Sequence, residues 1–504
     1  ATSLAFSILA ALPAMAAVSL EAKDQTSVLV ESDPALKNLG RTGTDAPAAK
    51  ADEEFAAGNY AEAIRLAQPL AKVGDPNATY LMGFAHETGS GVEKSRDKAI
   101  GYYRQGVEKG HAESVYRLAF SLMASGEATD IREAQSLLEK QAAKDPEVGG
   151  RILGELFVRG GFTAKPDPET GVSWWKKASA AGDIPSMNFL AAFYDGQMGF
   201  PEKKDPALVN QYYGAAAAKG DTSAMINLGS RLLTGDAKLR DEKKGKEWIA
   251  KAIADENTAG YLALGAYYEG VKKDPKAAFN EYLKGEEAGQ VGCMLRAAAM
   301  YAKGEGTAKN EEKAIELLNK AAAAGNSQAH LELASMILKE EKPDLGAAYL
   351  HLLSAANDGL AFAQNELGIF YLSGKMGAED ISAAVSWFGR AAQANFAPAQ
   401  NNLATLHERG AGVPQSYENA LKLYSLAAQQ GHADAILALA RLNAAGAGTK
   451  QNLELAWALA TIAGESGNKN AAEFITEVEK IVTKEQLAGA KKQLKQLKSS
   501  KDSK

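Results

Sequence analysis

Three sets of residues have the types and spacing to do chemistry. Ser95-Arg96-Asp97-Lys98 fits the Ser-x-x-Lys pattern of penicillin-interacting acyl-transfer enzymes, where the serine hydroxyl attacks a carbonyl. Gly89-x-Gly91, Gly304-x-Gly306 and Gly410-x-Gly412 resemble pieces of phosphate-binding loops. Six histidines, His86, His111, His330, His351, His407 and His432, are the candidate metal ligands and general bases. Each set has a plainer reading. Ser95 stands where a helix N-cap is expected. No Gly-x-Gly is followed by a third glycine or by Gly-Lys-Ser/Thr, and no strand is predicted before any of them. No histidine pair has the spacing of a helical zinc motif. His111 and His432 both follow a unit-closing glycine, and His86 and His407 occupy a second shared place, so packing or capping explains them. The sequence therefore predicts no catalytic residue, no cofactor site and no metal site. Cys293 is the single cysteine, which excludes an internal disulfide. It falls in a predicted helix and is expected to pack as a small hydrophobe.

The elements carrying these residues repeat. Ala399 to Gly412 and Ala435 to Gly448 are both apolar, helix-forming runs that end in Gly-x-Gly, and Tyr80 to Val92 has the same shape. A second landmark is the glycine at 74, 110, 182, 220, 289, 325, 359, 431 and 467, spaced at about 36 residues or a multiple of it. Between the landmarks, apolar residues recur at helical spacing, as in Ala384, Trp387, Phe388 and Ala391. Each unit thus reads as helix A, a glycine hinge, helix B and a left-handed glycine cap. Units ending near Asp145 and Asp255 lack the closing glycine, and one uses Asn395 instead. Units beginning near Tyr261 and Ala329 have a reduced hinge, and the stack is expected to bend or lose register there.

The chain has 504 residues, 46% of them hydrophobic, with 48 glycines and only 15 prolines. Its 56 basic and 62 acidic side chains leave a net charge of −6, without the basic excess of a general nucleic-acid binder. Leu4 to Leu12 is a short apolar run followed by Pro13 and Ala14-Met15-Ala16. It reads as a signal-peptide core cleaved after Ala16, which places the mature chain in the periplasm or outside the cell. No integral membrane segment is expected in the mature chain. Residues 17–46 read as a flexible leader, 47–467 as the repeat array, and 468–504 as capping helices with a Lys-rich tail. A Thr483-x-x-Gln486 capping box opens the last helix. The tail reads as a solvated cap or as a contact for an anionic surface.

The unit resembles the Sel1-like repeat, a relative of the tetratricopeptide repeat. Leu367-Gly368 with Tyr371 and Gly374 matches the first half, and Gly89-Ser90-Gly91-Val92 and Gly410-Ala411-Gly412-Val413 match the loop. Lys98-Ala99, Tyr102-Tyr103 and Trp174-Trp175-Lys176-Lys177-Ala178 match the second half. The resemblance covers about 420 residues and implies an all-α fold, a right-handed superhelix of about twelve Sel1-like helical hairpins. It also implies an adaptor or scaffold whose partners are other proteins; together with the signal segment, the chain reads as a non-enzymatic scaffold of the cell envelope. Some relatives act in exopolysaccharide export or envelope assembly, which is the alternative. Cysteine-rich Sel1-like proteins have been described as penicillin-binding, but they depend on a disulfide in each repeat, which this chain lacks.

Arrays of this kind bind partners with the A-helix face. By resemblance that face includes Asn365, Ile369 and Leu372 in one unit and Asn401, Thr405 and Glu408 in the next. The two asparagines suit the backbone of an extended partner, since an amide both donates and accepts hydrogen bonds. Tyr194, Tyr268, Tyr301 and Tyr371, with Trp175, Trp248 and Trp387, are expected in the core, and Trp174 is a candidate for ligand stacking.

Overall fold

The computed structural model describes residues 48–163, 165–374 and 377–501. The expected signal segment 1–16 and the leader 17–46 lie outside the described residues. Among the described residues there are helices and turns and no strand. Contacts divide the chain into two compact units, residues 1–273 and 274–504.

The first unit holds six hairpins. They are Ala49–Ala56 with Tyr60–Lys72, Pro76–Thr88 with Arg96–Glu108, Ala112–Met123 with Ala128–Lys144, Pro146–Arg159 with Pro168–Ala181, Ile184–Tyr194 with Pro206–Ala218, and Thr222–Thr234 with Glu242–Ala254. Ala259–Tyr267 follows. The second unit opens with Pro275–Glu287 and holds five hairpins. These are Val291–Lys303 with Glu311–Ala323, Ser327–Ile337 with Leu345–Asn357, Ala361–Leu372 with Ile381–Gln393, Ala397–Arg409 with Tyr417–Gln429, and Ala433–Ala445 with Leu453–Glu465. Ala471–Ile481 and Lys484–Lys501 complete it. In front of the last helix, the Thr483 N–H donates to Gln486 Oε1 at 2.9 Å and the Gln486 N–H donates to Thr483 Oγ1 at 3.2 Å, a complete capping box.

Helix starts are set by side chains. Ser95, Asp167, Asp205, Asp241, Asp274, Asn310, Asp344, Asp380, Ser416 and Asn452 each accept the backbone N–H three residues on, at the head of a B helix. Each such cap contributes about 1 kcal/mol. The unit-closing glycines all have positive φ. Where the glycine is missing, Glu256 (φ 63°) and Asn395 (φ 59°) take the same conformation. At Asp145 the chain dispenses with it: the B helix runs to Lys144 and Asp145 at once caps the next A helix.

Within a hairpin, the glycine of the Leu-Gly position makes room for a B-helix side chain. A Cβ on Gly83 would lie 2.6 Å from the Tyr103 ring, and one on Gly368 would lie 2.5 Å from the Phe388 ring. Tyr103, Trp175 and Phe388 are fully buried there. Gly-x-Gly proves to be two devices. Its first glycine is the left-handed C-cap of helix A, as at Gly89, Gly304, Gly410 and Gly446. Its second glycine touches the first residue of the preceding B helix: Gly91 meets Tyr60, Gly306 meets Pro275, Gly412 meets Ile381 and Gly448 meets Tyr417. The hinge is therefore also a stacking contact between neighbouring repeats.

The reduced hinge after Tyr261 is replaced by a π-helical turn, Tyr268–Lys272, closed by Lys273 in the left-handed region (φ 54°). Glu242 holds it from the neighbouring helix through Lys272 at 2.7 Å and also pairs with Lys246 of its own helix at 2.8 Å. Those two ammonium groups keep the Glu242 carboxyl at about 2, well below the usual carboxylate range. The division between the two units falls directly after this turn.

Candidate partner-binding surface

The A-helix positions predicted to meet a partner differ in what they are free to do. Asn365 is buried; its Nδ2 donates to Glu366 Oε1 at 3.2 Å and its Oδ1 accepts from Asn402 Nδ2 of the next A helix at 3.0 Å. Its amide thus ties two repeats together. Ile369 and Leu372 are half-buried beside Phe388 and Leu406. Thr405 and Glu408 are half-buried and converge on one phenol: Tyr424 Oη lies 2.9 Å from Thr405 Oγ1 and donates to Glu408 Oε2 at 2.8 Å. Burial, with Glu408 beside it, pushes the Tyr424 phenol well above its ordinary pKa. Asn401 is half-buried, and its backbone carbonyl accepts from Thr405.

A second row lies on the B helices. Where two large residues adjoin, the second is buried and the first is half-buried: Tyr102 before Tyr103, Trp174 before Trp175, Tyr212 before Tyr213, Trp387 before Phe388. Of the aromatics expected in the core, Trp175 is buried; Trp248 and Trp387, like Tyr194, Tyr268, Tyr301 and Tyr371, are half-buried, and the two tryptophans pack against core clusters with a cation over the ring. Arg390 sits 4.5 Å from the Trp387 centroid, and Lys177 sits 3.8 Å from that of Trp174. In three of these pairs the buried partner fills a Gly notch, Tyr103 at Gly83, Trp175 at Gly154 and Phe388 at Gly368, so its neighbour on the same helix is turned outward. This alternation needs the notch to be known, and periodicity alone does not supply it.

Sequence reasoning also missed a polar ladder between repeats. Asp183 caps its own helix through Ser186 N at 2.8 Å and accepts from Arg151 Nη1 of the previous A helix at 2.7 Å. Asp221 caps through Ala224 N at 3.0 Å and accepts from Asn188 Nδ2 at 2.7 Å. His111 does the same with a ring. Its Nδ1 accepts from Ser114 N at 3.3 Å while Nε2 faces Asn77 Oδ1 at 3.1 Å. His432 Nδ1 likewise accepts from Ala435 N at 3.4 Å. The recurrence of histidine after a closing glycine is thus capping.

These two caps require neutral rings. Burial lowers the pKa of both, opposed by Glu113 and Asp75 at His111 and by Asp434 at His432. The unfolded chain therefore takes up the protons first. Their stabilisation is complete above the ordinary histidine value of about 6.5 and declines as the pH falls below it. Thermal melts at about pH 7.5 and about pH 5.5 check this. The wild type should lose more of its midpoint than a His111→Asn/His432→Asn variant, whose caps do not titrate; an equal loss refutes the assignment.

Ser95 is the N-cap of Arg96–Glu108, its oxygen accepting the Lys98 N–H at 3.4 Å. Cys293 is fully buried, and that burial pushes its thiol up to about 12. Neither is placed as a nucleophile. An open depression of about 490 Å³ lies between Gln68, Met82, His86, Tyr102 and Gln105. His86 there stacks on Tyr102 at 5.7 Å and bonds the Glu93 carbonyl through Nδ1 at 3.0 Å. Lys491, Lys492 and Lys495 are exposed on the last helix, and Lys498 pairs with Glu465 at 2.6 Å. Among the described residues no helix is long and apolar enough to cross a membrane.

Stacked helical hairpins with notched glycines, inter-repeat ladders and partly exposed A and B faces define an α-solenoid of the protein-interaction class. The chain belongs to the Sel1 repeat family: that repeat matches residues 76–111, 152–183, 184–221, 222–257, 258–288, 291–326, 361–396, 397–432 and 433–468. It is 28% identical over 274 residues to the chitin synthase regulator SKT5 of Saccharomyces cerevisiae, covering 51% of this chain and 39% of that one. It is 26% identical over 244 residues to chitin synthase regulatory factor 3 of Schizosaccharomyces pombe, covering 45% of this chain and 26% of that one. The chain thus spans well under half the length of these relatives. Among solved structures it is similar to a protective antigen of uropathogenic Escherichia coli with an SLR fold, at 25% identity and a TM-score of 0.50, covering 86% of this chain and 94% of that one.

Proposed function

We propose that this chain is a non-catalytic scaffold of the cell envelope that holds partner proteins on its repeat surface. The observation that carries the reading is the repeat itself, nine family matches whose buried residues are spent on packing and capping. Ser95, the one sequence candidate for a nucleophile, serves as a cap. The envelope location rests on the apolar run Leu4 to Leu12 and the Ala14-Met15-Ala16 site. Mass spectrometry of the exported chain should give Ala17 as its first residue; a cytoplasmic, unprocessed chain would overturn that location.

The partner face we assign runs along the A helices over Ile369, Leu372 and Asn401, with Thr405 and Glu408 at its edge. Asn401→Arg places a long cation there without removing a core contact. Crosslinked pull-down from envelope fractions should enrich partners with the wild type and lose at least half of that enrichment with Asn401→Arg, at an unchanged melting curve. Equal enrichment by both proteins would move the partner to another face, and none by either would sink the scaffold reading. One observation favours a narrower version. The two curated relatives are named as regulators of a polysaccharide synthase, which supports a role in polysaccharide export or envelope assembly.

A further inference from the structure

His330 lies on Ser327–Ile337 and His351 on Leu345–Asn357, the two helices of one hairpin, between residues 326 and 361, that the Sel1 repeat matches do not include. Counted from the N-cap, His330 replaces the methionines Met187, Met225 and Met294 of other A helices. His351 replaces the outward aromatic represented by Tyr102, Tyr212, Trp248 and Trp387. Two apolar positions have thus become imidazoles in the same hairpin, and the fold brings them together. Their Nδ1 atoms lie 2.9 Å apart, with ring centroids at 5.2 Å and planes inclined by 42°. Both rings are half-buried, so one edge of the pair is open to solvent.

We infer that His330 and His351 form a two-histidine site for a divalent transition-metal ion of the Cu2+ or Ni2+ type. Two metal–nitrogen bonds of about 2.1 Å at a right angle separate the nitrogens by about 2.9–3.0 Å, whereas a tetrahedral angle requires about 3.4 Å. The observed spacing equals that of adjacent corners of a tetragonal ion, while the centroids, 5.2 Å apart, place the free rings nearly head-on, so binding turns both rings toward a common point. No group of three or more His, Cys, Asp or Glu side chains that could hold a metal occurs among the described residues, so water fills the remaining corners. Without metal, one Nδ1–H donates to the other Nδ1. On binding, the donating ring takes its proton on Nε2 through solvent, and both Nδ1 lone pairs turn to the ion. The ion then links helices A and B of a hairpin that the repeat matches leave out. Because the two residues are on different helices, no motif spacing announces them.

The test uses the tag-free, chelator-stripped full chain, titrated calorimetrically with Cu2+, Ni2+ or Zn2+ chloride. One saturable site is expected for Cu2+ and for Ni2+, with Zn2+ weaker, and the Cu2+ resonance spectrum should carry coupling to two nitrogens. His330→Gln and His351→Gln keep a hydrogen-bonding side chain and leave the other four histidines as background. Each should weaken binding by at least about tenfold at an unchanged circular-dichroism melt. A wild type without a saturable site, or variants that bind as tightly as it does, would overturn the assignment. Zn2+ binding tighter than Ni2+ would overturn the right-angle geometry.

Discussion

Gly306→Ala is expected to destabilise the second unit by about 3 kcal/mol, and Gly325→Ala by about 1 kcal/mol. Both glycines are left-handed, at φ 71° and φ 81°. A Cβ therefore strains either position by roughly 1–2 kcal/mol. They differ in surroundings. A Cβ on Gly325 meets nothing within 4 Å. One on Gly306 would overlap the Pro275 carbonyl oxygen, and that atom is backbone at the first turn of a packed helix. Relief requires the hinge to lift off Pro275–Glu287, which opens the stack between neighbouring repeats and adds an overpacking cost of roughly 1–3 kcal/mol. Repeat arrays need not unfold in one step, so hydrogen exchange is the better measurement. Gly306→Ala should raise exchange in Pro275–Glu287 and Glu311–Ala323 together, whereas Gly325→Ala should act only around its own turn. Equal, local effects would mean that the second hinge glycine has no stacking role.

This contrast marks where sequence reading stops. The helical hairpins, the unit ends and the left-handed closers are legible because each depends on residues a few positions apart. A glycine cap, an Asx cap and an amphipathic stripe are local, and Asn395 could be identified as a glycine substitute for the same reason. The two roles of Gly-x-Gly cannot be separated in this way, since Gly306 meets Pro275 only after the repeats have stacked. The same holds for Asn365 and Asn402, for His330 and His351, and for the outward Trp387 beside the buried Phe388. Asn365 is the instructive case. Its repeat position suggests a partner contact, yet stacking spends its amide on the next helix. Positions on an A helix serve a partner only where the neighbouring repeat has left them unused.

Asp183→Ala should cost about 4 kcal/mol, the largest loss among the ladder residues. Asp183 and Arg151 are both buried, at 6% exposure each. One carboxylate oxygen accepts from the guanidinium at 2.7 Å and the other caps Ile184–Tyr194 through Ser186 N at 2.8 Å. The Arg151 carbonyl also accepts the Trp175 indole N–H at 3.2 Å, so the pair is wired into the hairpin core. Removing the carboxylate takes from a buried guanidinium the ion pair with Asp183, a loss of about 3–5 kcal/mol in such settings, and deletes a cap worth about 1 kcal/mol. Asp183→Asn keeps the cap and should fall between the two proteins. The decisive comparison is Arg151→Met/Asp183→Asn. With both charges gone, burial no longer strands either one, and this variant should be more stable than Asp183→Ala by at least about 1 kcal/mol. Chemical denaturation of the wild type, Arg151→Met, Asp183→Asn and the double variant measures the coupling. Additive effects would mean that Asp183 acts as a cap alone. Coupling would mean that charge pairing across the repeat boundary joins Pro146–Arg159 to the capped end of Ile184–Tyr194, so that neighbouring hairpins of the first unit unfold together.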